Sequence, residues 1–167
     1  MQDKRPEIDA LVEQLQELRE LHDQLLLAAR GKQSAMRCGD VDALQSWSAR
    51  EKFLIDRITG AESARRATVE ALAQALGREG PVTVTVLAAQ LGEPDRSRVL
   101  ALAAAIRALA EQIHQINQIN DAVSREILEC FAQMHRRYAV ARCDIGLYDT
   151  NGRKQLVTGA ALLDAVG

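Results

Sequence analysis

The sequence predicts an all-α protein: an elongated antiparallel helical bundle or coiled coil of three long helices, one short helix and a flexible C-terminal tail. Three observations lead there. Leu, Ala, Glu, Gln and Arg dominate the composition, and all five are good helix formers. Apolar residues return at alternating three- and four-residue steps through three long segments. Glycine or proline breaks separate those segments. At 167 residues the chain has about the length of one domain. We therefore expect a single helical domain over 1–143, followed by a tail over 144–167.

The first helix is expected over about 6–37. Pro6 suits a first helical position, and Ile8, Leu11, Leu15, Leu18, Leu21, Leu25 and Leu26 then form one stripe, with Glu13, Glu17, Glu20 and Asp23 on other faces. Gly31 reads as a weak point, since glycine in a helix interior costs about 1 kcal/mol relative to alanine. Cys38-Gly39-Asp40 offers a terminating glycine and an N-cap aspartate back to back, which opens a second helix over about 41–77. So short a connection favours an antiparallel hairpin. The following VTVTV alternates like a strand, but no partner strand is evident. A lone strand is unstable, so Thr83 is read as the cap of a short helix over about 84–91. Pro94 opens the last helix, expected over about 94–143.

That last helix holds most of the functional information. Val99, Leu102, Ile106, Leu109, Ile113, Ile116, Asn120, Val123, Ile127, Cys130 and Met134 follow a heptad seam without interruption. Some 50 residues at 1.5 Å per residue make about 75 Å, more than a compact bundle of three helices covers. Part of the seam must meet the hairpin and the rest something else. Within IHQINQIND, Asn120 occupies a core position and Asn117 lies one step beside it. We expect the internal core to end near Ile116 and a partner-binding groove to begin at the asparagines, because a lone core asparagine fixes register at some expense of stability.

Other functions are disfavoured. The formal net charge of −2 and an aromatic content of 3% supply neither a basic field nor stacking platforms, so no nucleic-acid partner is expected. The opening MQDKRPEID is charged and does not read as a signal peptide. The longest apolar run, VLALAAAIRALA, spans about 12 residues and contains Arg107, too short for membrane insertion. Three widely spaced cysteines fit a reducing, cytoplasmic setting. His22, His114 and His135 show no HExxH-type spacing, no two helices carry the Glu-x-x-His motifs that a di-iron bundle needs, and no phosphate loop occurs. No nucleophile and base can be paired from spacing, so neither catalysis, a cofactor nor a metal is expected.

Three stretches carry a resemblance to a known family. CGDVDALQSWSAREKFLIDRI holds a Gly-Asp break between a leucine-rich helix and a lysine-bearing one. NQIND resembles an Asn-x-x-Asn-Gly motif followed by aliphatic residues, with Asn117 and Asn120 matching and Asp121 departing from the glycine. LYDTNGR places Leu147, Tyr148, Asp149 and Gly152 in a Leu-Tyr-Asp-x-x-Gly turn. In their order and spacing these resemble the FlgN family of flagellar type III export chaperones, over most of the chain.

The resemblance implies a cytoplasmic chaperone that binds the C-terminal helical segment of hook-associated (hook-filament junction) proteins and delivers them to the export gate. It places cargo on the distal part of the last helix, where Asn117, Ile119, Asn120, Val123, Ile127, Phe131 and Met134 are the candidate contacts. Leu147, Tyr148 and Asp149 are the candidate export-gate contact. The alternative reading is a structural coiled-coil adaptor, a homodimer formed through the 99–134 seam.

Overall fold

The computed structural model describes residues 5–78, 80, 82–143, 147–148 and 154–155, with side chains as far as Ala139. The chain is all-α: α1 (Arg5–Cys38), α2 (Val41–Ala75), the short α3 (Val84–Ala88) and α4 (Asp95–Cys143). One addition was not expected. Leu147–Tyr148 (β1) pairs antiparallel with Lys154–Gln155 (β2), Leu147 opposite Gln155 and Tyr148 opposite Lys154. The chain divides into two compact units, 1–121 and 122–167.

In the first unit the α1–α2 turn is closed by glycine and aspartate together. Gly39 adopts φ +67°, a backbone conformation that residues with a Cβ rarely adopt. This lets Gly39 N–H donate to Met36 O (3.3 Å) and Asp40 N–H to Ala35 O (3.0 Å), the paired bonds that satisfy the last carbonyls of a helix. Asp40 then caps α2, its Oδ1 accepting from Ala43 N at 2.9 Å. The helices run antiparallel, as the cross-helix pairs show. Glu17 accepts from Arg57, and Gln24 accepts from Arg50, so partners descend α2 as they ascend α1. Lys32 and Glu51 form a further, largely buried ion pair.

Gly31 is not the defect that propensity suggests. The Trp47 indole of α2 lies against it, and a Cβ at Gly31 would stand 2.5 Å from Trp47 Cδ2 and 2.8 Å from Cζ2. Ordinary carbon contacts are about 3.5–4.0 Å, so glycine is what admits the ring.

The VTVTV segment folds as a helical turn. Thr83 takes an extended conformation and its Oγ1 accepts from Val86 N–H at 3.3 Å, capping α3. That turn delivers Leu87 and Ala88 into one core with Leu11, Val12, Leu15, Val69, Leu72 and Val99. A second core joins Leu21, Leu25, Leu26, Ala28, Leu54 and Ile113. Each fully buried leucine of this kind is worth about 2–3 kcal/mol of transfer free energy.

Helix α4 rises alongside α1. Arg5 donates to Asp95 at 3.0 Å, Val99 shares a core with Leu11, Ile113 shares one with Leu25, and Asn120 reaches Ala29. The order is the same on both helices, so this part of α4 is parallel to α1 and antiparallel to α2. The first half of the heptad seam is therefore occupied inside one chain: Val99, Ile113 and Asn120 are 0%, 7% and 1% exposed. A dimer using the whole 99–134 seam, as the adaptor reading requires, would have to open this core.

Measured as a helix rather than as an apolar run, α4 is long and apolar enough to cross a membrane, with an 18-residue window at mean hydropathy 1.2. That differs from the reading of the 12-residue run. Length and composition of this kind are shared by core helices, which are mostly buried; here 11% of that window is buried.

Candidate functional site

An α-helix returns to the same face at steps of three and four residues. On α4 one such stripe carries Ile113, Ile116 and Asn120 in the first unit and Ile127, Phe131, Met134 and Tyr138 in the second. The environment of the stripe changes along it. Ile113 and Asn120 are buried, whereas Ile127, Phe131, Met134 and Tyr138 are 38%, 62%, 58% and 63% exposed. Leu128, on the edge of the same face, is 68% exposed. Phe131, Ala132, Met134, His135, Arg137 and Tyr138 line an apolar concavity.

Large apolar side chains scattered singly on a surface need no explanation. Five within twelve residues, four of them in register on one helical stripe, form a contiguous patch of the kind that marks an interaction surface. The chemistry available is apolar contact along a helix axis, bordered by Glu126, His135 and Arg137. Among the described residues no cluster of His, Cys, Asp or Glu could hold a metal ion.

The sequence-derived candidates distribute unevenly over this geometry. Ile127, Phe131 and Met134 come together on the exposed stripe, and Val123 is half-buried. Ile119 is 51% exposed but sits about a quarter turn off the stripe. Asn117 is half-buried, and among the described residues its Oδ1 has no hydrogen-bond partner. Asn120 is a correction. It was expected to open the partner groove, but it is 1% exposed and donates from Nδ2 to Ala29 O of α1 at 3.1 Å. The reason is reach: α1 continues as helix past Ala29 to Cys38, so the internal core extends one turn beyond Ile116. Asn120 is therefore a specifier of how α4 registers on α1.

Leu128 belongs to the patch and was not among the candidates, and Tyr138 belongs to it as well. Tyr138 continues the three–four stepping one position past Met134, a signal present in the sequence. Leu128 lies beside the seam, where stepping alone does not look. Of the export-gate candidates, Leu147 and Tyr148 form β1, and Asp149 lies outside the described residues.

The chain thus has an internal three-helix core and an exposed apolar stripe on its last helix. A family model described as FlgN protein matches residues 1–155. The chain belongs to the FlgN family. No curated protein and no solved structure gives a significant match. Membership makes this FlgN protein a flagellar export chaperone, a class not known for enzymatic activity.

Proposed function

We propose that this FlgN protein works in the cytoplasm, holds the C-terminal helical segment of hook-associated proteins against the exposed stripe of α4, and delivers them to the flagellar export gate. The observation that carries the proposal is the patch of Ile127, Leu128, Phe131, Met134 and Tyr138, each more than a third exposed. An amphipathic cargo helix laid along this face would cover it, and recognition of a helix by an elongated apolar surface needs just this spacing of anchors. Affinity would come from apolar burial at about 25 cal/mol per Å², reduced by the ordering of a cargo segment disordered when free. Val123 would extend the contact by one turn, and the exposed Ile119 is proposed as a separate apolar contact. Leu147, Tyr148 and Asp149 remain the proposed gate contact, Leu147 and Tyr148 lying in β1.

The test is capture of a hook-associated protein's C-terminal helix by the purified chain. Ile127→Asp combined with Phe131→Asp should abolish capture. Because both side chains are exposed, the thermal transition should move little. Retention of cargo by the double variant would show that the patch is not the cargo surface.

A further inference from the structure

The exposed stripe has a second property, which lies in the order of charges beside it. Taken in heptad steps, Ile127 and Met134 occupy one of the two core positions, and Phe131 and Tyr138 the other. Two identical helices laid antiparallel about a point between Ala132 and Gln133 would place Phe131 opposite Met134 and Ile127 opposite Tyr138. Each core residue would then face one from the other heptad position. The same side of the stripe carries Glu126 near its start and Arg137 near its end, about three turns apart. Both are exposed, and among the described residues neither has an ion-pair partner. In the antiparallel register Glu126 of one copy falls within about 3 Å, along the axis, of the level of Arg137 of the other. Two-fold symmetry makes that pair twice. A parallel pairing in register would instead put Arg137 beside His135 of the other copy and make no Glu126–Arg137 pair.

We propose that two copies of this chain associate antiparallel through residues 126–138 of α4, covering the apolar stripe of each. The proposal rests on the cargo reading only for its role, since a chaperone whose cargo face is closed by a second copy exchanges self-contact for cargo contact. The geometry also sets its strength. Thirteen residues of helix from each copy bury on the order of 1,000 Å² in total, at the lower limit for specific interfaces. So small an area suits a reversible contact that cargo can displace.

Sedimentation equilibrium of the full chain without cargo tests this. The expected result is a reversible monomer–dimer equilibrium. Glu126→Arg should weaken it about tenfold by setting like charges opposite one another twice. Glu126→Arg with Arg137→Glu should restore it, because the swap keeps opposite charges facing. Both positions are exposed, so circular dichroism should report intact folding in all variants. A chain monomeric to several hundred micromolar, or a dimer indifferent to Glu126→Arg, would overturn the proposal. No cargo enters the measurement, so it can fail without the cargo reading failing, and the reverse.

Discussion

Replacing Gly31 with alanine should destabilise the α1–α2 hairpin, even though alanine is the better helix former by about 1 kcal/mol. The added Cβ would meet Trp47 Cδ2 at 2.5 Å and Cζ2 at 2.8 Å. The indole must therefore retreat by about 1 Å to regain ordinary contact. Overpacking of this kind costs about 1–3 kcal/mol. Set against the propensity gain, the net expectation is a loss of about 1 kcal/mol, or about 2–4 °C in Tm for a chain of this size. The control is Trp47→Leu, which removes the ring and leaves the helix. On that background Gly31→Ala should stabilise by the full propensity difference, giving a coupling of about 2 kcal/mol between the two positions. Urea unfolding followed by circular dichroism reads the cycle. Trp47, the sole tryptophan, reports ring displacement by fluorescence in the Gly31→Ala variant. If alanine at position 31 raised stability equally in both backgrounds, the close approach of ring and helix would be wrong.

The remaining expectations concern registration and capping. Asn120→Asp replaces the amide that donates to Ala29 O with a group that, when ionised, can only accept; with the site 1% exposed, the loss should be about 3 kcal/mol or more. A melt within 0.5 kcal/mol of the parent would show that the bond does not anchor α4. Asp40→Ala removes the acceptor for Ala43 N–H at the start of α2. It should lower stability by about 1 kcal/mol in a denaturant titration, with Asp40→Ser close to neutral. An alanine variant as stable as the serine one would count against the cap.

Much of the fold was legible because its signals are local. Three–four stepping located the long helices, and the Gly39-Asp40 pair located the turn between them, since the phase of a helix and its end chemistry are written in neighbouring residues. The VTVTV segment was resolved the same way, because a strand without a partner has nowhere to place its hydrogen bonds and Thr83 supplies a cap. What escaped depends on where one helix sits against another. Gly31 reads as a weakness until the Trp47 ring of α2 is placed on it. Asn120 was correctly put on the seam, but its burial depends on α1 continuing past Ala29, a tertiary fact with no local signature. Leu128 was missed because heptad counting selects a line of residues, whereas the exposed face is broader than that line. The exposed stripe from Ile127 to Met134 lies on the same periodicity that builds the core, so counting in steps of three and four reaches it.

The central claim is that the stripe of α4 beyond Asn120 receives a cargo helix. Methyl NMR of isoleucine- and methionine-labelled protein, titrated with the C-terminal helix of a hook-associated protein, reads this most directly. Ile127 and Met134 are expected to shift progressively with cargo, while Ile113, enclosed with Leu25 and Leu54, stays in place. Saturable binding that perturbs Ile113 or Ile58 and leaves Ile127 and Met134 unmoved would contradict the account.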